Sequence, residues 1–224
     1  MCLPLIFRVA ARTDTQVRPY KREEKMNLLN RNDNHAGNVQ LPWLTAILCI
    51  ATLTLFLIYG EAPTTLVYDR TAIAQGEIWR LLTGHFTHCD LPHLLWNLLP
   101  LAFIGSLLEQ RIGWRKFASL TFVSCLGVSG WLWFARPELL LYCGLSGMLN
   151  GLLIVLLARL WQESRHPLLP LIGLIATLKI IFETITQEAV FTHLSWAGFP
   201  EAHGAGLVAG IIFLGMTWGG NRVY

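Results

Sequence analysis

Charge is what this sequence has least of. Only 14% of its 224 residues are Asp, Glu, Lys or Arg, where a soluble domain carries about 25%. That shortage excludes a fold wrapped on all sides by water. Basic residues are few and misplaced for nucleic-acid binding: seven of the seventeen fall in residues 1–40 and the formal net charge is only +3. A basic face on a folded domain is therefore missing, and no nucleic-acid partner is expected. Cysteine is also scarce, five residues with no CxxC pair and no metal-ligand spacing, which speaks against a zinc or iron–sulfur centre. Cys49 and Cys125 lie inside apolar runs and read as small buried hydrophobes. Cys89 and Cys143 can share one side of the molecule, so a disulfide stays open beside two free thiols. Residues 1–11 are not expected to be a secretory leader, because this apolar stretch is short and its basic flank follows rather than precedes it. Met26 is then an alternative start.

What the chain has in excess is apolar length: 54% hydrophobic residues, nine Trp and a mean hydropathy of +0.48. Six apolar segments stand out, at residues 41–59, 91–108, 117–134, 145–161, 168–185 and 204–218. Each approaches the ~20 residues that cross a ~30 Å hydrocarbon core at ~1.5 Å per residue. The expected fold class is an all-α membrane protein, a six-transmembrane-helix bundle over residues 41–220. Residues 1–40 read as a disordered basic cytoplasmic tail, with seven Lys or Arg, four acids and the run Asn30-Arg31-Asn32-Asp33-Asn34. Lys and Arg near span ends set orientation. With the N-terminus inside, thirteen basic residues fall on the cytoplasmic side and three (Arg70, Arg80 and Arg136) on the other. Both termini are then cytoplasmic, and spans two, four and six enter from outside. Residues 60–90 form the one long connection, rich in apolar and aromatic residues, and are expected to lie partly in the membrane interface with Trp79 as an anchor.

Orientation brings misplaced polar groups to one depth. His93 and Asn97 begin span two and share a helix face, being four apart. Ser146 begins span four with Asn150 a turn deeper, and His203 begins span six. Ionisable groups at membrane depth suggest function by default. Gly147 and Gly151 on span four, and Gly206 and Gly210 on span six, have the spacing that lets two helix backbones approach closely in lipid. Facing glycine ridges would bring His203 to Ser146, and a neutral imidazole is the usual base for a serine nucleophile. Donors from Asn97, His93 and the backbone N–H of Ser146 would then hold an oxyanion. Taken singly, each feature has a plainer reading: a serine between glycines is packing, and a histidine at a helix end is an interface residue. His35, His166 and His193 fit that description, and His85 and His88 read as structural hydrogen-bonders between loop and helix. A metal site is not expected, since no Asp, Glu or Cys completes a ligand set at that depth. No cofactor is expected.

These residues occur in an order that resembles the rhomboid intramembrane serine proteases. The resemblance is carried by Trp79-Arg80, His88, His93-Leu94-Leu95-Trp96-Asn97, Glu109-Gln110-Arg111-Ile112-Gly113, Gly144-Leu145-Ser146-Gly147 and His203-Gly204-Ala205-Gly206. It implies a Ser–His dyad without a third acid, with Ser146 as nucleophile and His203 as base. His93 and Asn97 become oxyanion donors. Trp79, Arg80, Glu109, Arg111, Gly144, Gly147 and Gly206 become structural motif residues. The lack of an acid beside His203 would fit that family. Within it, the six-span form and the run Gly76-Glu77-Ile78-Trp79-Arg80-Leu81-Leu82-Thr83-Gly84-His85-Phe86 resemble rhombosortases, which are thought to process secreted bacterial proteins with a C-terminal Gly-Gly motif, a span and a basic end. That subgroup tends to carry a histidine where this chain has Asn150.

The expected activity is cleavage of transmembrane protein substrates within the lipid bilayer, from the bacterial inner membrane with the site facing the periplasm. Span five, with Lys179 and Glu183 four apart, is the expected moving gate. Two other classes compete. A catalytically inactive relative that captures helices would lack part of the dyad or oxyanion set, whereas this sequence keeps all of it. A transporter or channel would place polar residues through the full membrane depth, whereas here they concentrate in the outer half.

Overall fold

The computed structural model describes residues 41–187, Val190 and residues 199–218. The expected tail over residues 1–40, His193, Gly219-Gly220 and Arg222 lie outside the described residues.

Six helices of seventeen residues or more are found among the described residues, each over one of the expected apolar segments. They are α1 (Trp43–Tyr59), α4 (Leu91–Ile112), α5 (Trp114–Ala135), α6 (Ser146–Ser164), α7 (Leu168–Thr186) and α8 (Pro200–Trp218). The long connection holds two short helices, α2 (Arg70–Ala74) and α3 (Arg80–Thr83), and strand β1 (Tyr68–Asp69). By length and composition, α4, α5 and α7 are long and apolar enough to cross a membrane, while α1 is apolar but shorter.

Helix ends follow local chemistry. Asp90 caps α4 by accepting the His93 N–H at 2.6 Å, and Asp69 caps α2 through Thr71 and Ala72. Pro100 lies inside α4 and supplies no N–H, and the next turn, Leu101–Gly105, is π-helical. Helix α8 starts at Pro200, a turn earlier than the apolar segment suggested, so His203 lies inside the first turn rather than at the helix start. Pro favours the first helical position, and Glu201 beside it suits the positive end of the helix dipole.

Two devices hold the long connection against the bundle. Strand β1 pairs antiparallel with β2 (Leu141–Tyr142), with Tyr68 opposite Tyr142. Arg80, only 5% exposed, binds Glu77 at 2.6 Å and the carbonyls of Thr64 and Val67 at 2.6 and 3.0 Å. Trp79 beside it is half exposed, as an interfacial anchor would be. Inside, Leu101, Leu108, Phe117, Leu120, Leu145, Met148 and Leu152 are completely buried between α4, α5 and α6. The outside is apolar as well, most of all on α7, where Leu174, Ile175, Leu178, Phe182 and Ile185 are exposed.

Helices α6 and α8 pack along their glycines. A Cβ on Gly206 would come 1.7 Å from the Gly147 carbonyl oxygen, and one on Gly210 would come 2.6 Å from that of Gly151. On the other side of α6, a Cβ on Gly147 would meet Val128 of α5 at 2.9 Å, as well as the Ala202 carbonyl of α8. The small-residue ridges read from the sequence thus face each other.

Candidate active site

The site is assembled at the starts of α6 and α8. Strand β2 leads into a turn at Gly144, whose φ of +110° suits glycine. That turn is fixed from several sides. The Gly144 N–H donates to the Gly84 carbonyl at 3.2 Å, and the Tyr142 hydroxyl donates to the Gly144 carbonyl at 3.1 Å. Ser146 follows as the first residue of α6, where backbone N–H groups have no partner within the helix.

Close packing of α6 on α8 brings His203 to the serine, with Nε2 2.9 Å from Ser146 Oγ. Both side chains are half-buried. If Nε2 accepts the serine proton, Nδ1 must carry the imidazole proton. Glu183 Oε2 lies 3.6 Å from that Nδ1. The sequence left His203 without an acid, and the structure corrects this: a carboxylate from α7 stands behind the imidazole. The sequence reading had placed Glu183 only opposite Lys179, a pairing the structure holds at 2.6 Å. At the other side of α8, Glu201 is bound by Arg136 from the end of α5, which fixes the first turn next to His203.

His93 and Asn97 lie on α4, both buried. The His93 ring packs on Gly144, where a Cβ would lie 2.6 Å from Nε2. Asn97 Nδ2 donates to the His93 carbonyl at 2.8 Å, and its Oδ1 is buried without a hydrogen bond. One amide hydrogen therefore remains for another acceptor. Asn150, which had no assigned role, donates back to the Ser146 carbonyl at 2.8 Å.

Cysteine was misjudged. Cys89, His93 and Cys143 are all buried and place their ligand atoms within 4.8 Å of one another, with Cys89 Sγ 3.1 Å from His93 Nδ1. The expectation that no Cys joins His93 at its depth is corrected: β2 and the start of α4 bring both thiols to it. No disulfide joins the two sulfurs. Three donors of this kind suit a soft metal ion in chemistry, although His93 Nδ1 is already engaged by the Cys89 thiol. The hydrogen bond with the neighbouring Cys89, and burial after it, push the Cys143 thiol up, which disfavours the thiolate a metal would need.

The remaining motif residues are structural. Glu109 is buried in α4 and accepts the backbone N–H of Leu44 at 3.0 Å, and the N–H and hydroxyl of Thr45 at 2.7 Å each. It closes the start of α1 across the bundle. Arg111 does not pair with it but binds Glu163 at 3.2 Å. His85 bonds to the Cys125 carbonyl at 3.0 Å and Ser129 Oγ at 2.9 Å, as a loop-to-helix tie. His88 differs from the expectation: both ring nitrogens are buried without a hydrogen bond, and the ring meets His93 edge-on at 5.0 Å.

Residues 75–219 match the model of the rhomboid domain. Among characterised relatives, Rhomboid protease GlpG of Salmonella paratyphi A is 25% identical over 180 residues, covering 79% of this chain and 61% of the relative. Rhomboid protease GlpG of Klebsiella pneumoniae subsp. pneumoniae is 33% identical over 115 residues, covering 50% of this chain and 40% of the relative. The chain thus spans about 61% of the length of the Salmonella relative. With the domain match covering well over half of its residues, this chain belongs to the rhomboid family.

Proposed function

We propose that the protein is an intramembrane serine endopeptidase that cleaves membrane-anchored proteins near the outer face of the bilayer. The observation that carries this reading is the 2.9 Å approach of His203 Nε2 to Ser146 Oγ at the adjoining starts of two helices. In the reaction, Oγ attacks the scissile carbonyl carbon while its proton passes to Nε2. The carbonyl oxygen becomes an oxyanion, for which the free amide hydrogen of Asn97, the His93 imidazole and backbone N–H groups at the start of α6 are the available donors. His203 then gives its proton to the departing amine, leaving an acyl group on Ser146. Water, deprotonated by the same imidazole, releases it.

Residues 41–220 form the protease domain in this reading, crossing a bacterial inner membrane six times with both termini cytoplasmic and the site open to the periplasm. Residues 1–40 are its basic cytoplasmic tail. Exposed apolar residues along α7 support lateral access of a substrate helix beside it, and α7 is the proposed gate. Crosslinking α7 to α4 should then abolish cleavage of a membrane-anchored substrate, and full cleavage by the crosslinked protein would remove α7 from that role. The resemblance of residues 76–86 to rhombosortases supports proteins with a C-terminal Gly-Gly anchor as substrates.

The reading is tested by labelling with a fluorophosphonate, which traps an activated serine. The native protein should label, and Ser146→Ala and His203→Ala should not. Equal labelling of the native protein and Ser146→Ala would refute it.

A further inference from the structure

Helix α7 exposes a broad apolar face, yet it carries an acid that is almost completely enclosed: the Glu183 side chain is 3% exposed. A carboxylate in such a place is costly unless it is paired and hydrogen-bonded. Its Oε1 is well supplied, accepting from Lys179 Nζ at 2.6 Å and from the Val190 N–H at 2.9 Å. Its Oε2 has no hydrogen bond and is buried. What Oε2 faces is His203 Nδ1, at 3.6 Å.

The imidazole has the complementary need. For Nε2 to take the serine proton it must present a lone pair, so the proton of the neutral ring sits on Nδ1. An N–H at a half-buried position wants an acceptor, and Glu183 Oε2 lies where one is required. We infer that Glu183 is a positioning residue for His203, converting the expected Ser–His pair into a Ser146–His203–Glu183 relay of contacts. This inference rests on the proposed roles of Ser146 and His203. The present separation is longer than a hydrogen bond, as such contacts often are before substrate binds.

Glu183 acts in two ways. It holds the imidazole in the tautomer and orientation that leave Nε2 free, and it stabilises the imidazolium once Nε2 has taken the proton from Ser146 Oγ. No proton moves to Glu183: the Nδ1 proton stays on the ring and the carboxylate stays charged. Lys179 supplies the counter-charge on the opposite oxygen, so α7 carries a neutral pair into the apolar layer rather than a lone anion.

The test uses fluorophosphonate labelling of the full chain in detergent, with the inactivation rate kinact and the affinity KI read separately from the concentration dependence. Glu183→Gln keeps the shape but lets an amide N–H meet Nδ1, which selects the wrong tautomer. It should lower kinact about 10- to 100-fold, a part of the ~100- to 10,000-fold a general base contributes, with KI unchanged and the protein still folded. Native kinact in Glu183→Gln, beside a Ser146→Ala control that does not label, overturns this inference and leaves the proposed nucleophile standing. Labelling of Ser146→Ala at the native rate removes the underlying reading as well. Should Glu183→Gln fail to fold, Glu183→Asp carries the test. It keeps the charge but withdraws it by one methylene, so kinact should fall about 3- to 10-fold within the same general-base contribution, and a native rate would overturn the inference.

Discussion

Gly206 rests directly on Gly147: a Cβ at 206 would come within 1.7 Å of the Gly147 carbonyl oxygen, a backbone atom that cannot swing aside. Gly147 directly follows Ser146 and Gly206 lies one turn from His203, so the distance between the two side chains is set by backbone packing rather than by side-chain choice. Gly206→Ala must push α8 away from α6. We expect a loss of about 2 kcal/mol or more from overpacking together with loss of fluorophosphonate labelling. Gly130→Ala is the control, because nothing lies within 4 Å of a Cβ there. It should raise the unfolding midpoint slightly, by the ~0.5–1 kcal/mol that Ala gains over Gly in a helix. Thermal unfolding in detergent reads both variants.

Glu109 closes the start of α1 with three hydrogen bonds to Leu44 and Thr45. In Glu109→Gln one of the two oxygens becomes a donor that faces another donor. Stability should fall by about 2 kcal/mol, the range for losing a cap and leaving buried groups unpaired. Glu163→Gln loosens only the exposed pair with Arg111 and should change stability by less than about 0.5 kcal/mol. Denaturant midpoints of the two variants separate a buried cap from a surface pair.

Burial pulls the His85 imidazole down to about 4, against the upward pull of its bond to the Cys125 carbonyl. The folded protein therefore holds His85 neutral, while the unfolded chain takes up the proton near pH 6.5. The stability it contributes is complete above pH 6.5 and is lost as pH falls from there toward 4, by at most about 1.4 kcal/mol per pH unit. His85→Gln should flatten that limb in unfolding measurements from pH 7 to pH 4.

Much of this architecture was legible because apolar length and glycine spacing are local signals. Residues 145–161 and 204–218 announced α6 and α8, and the pairs Gly147–Gly151 and Gly206–Gly210 announced which faces would meet. The partners of His203 and His93 were harder to see, because they come from far along the chain. Glu183 looked like half of an i,i+4 pair with Lys179; only the packing of α7 beside α8 turns its second oxygen toward His203. The signal was present even so, since an acid inside an apolar span is unusual enough to suggest a task. Cys89 and Cys143 stand 54 positions apart in the numbering and meet at His93 only in the folded chain, a long-range contact that no local pattern announces. The start of α8 was placed late because Pro200-Glu201 is polar and carries no apolar periodicity, yet it is a good helix start.

The most direct measurement is mass spectrometry of the peptide that carries the fluorophosphonate adduct. The adduct should lie on Ser146 in the native protein and be absent from His203→Ala. An adduct on any other hydroxyl, or one that survives Ser146→Ala, would contradict the assignment of Ser146 as the nucleophile.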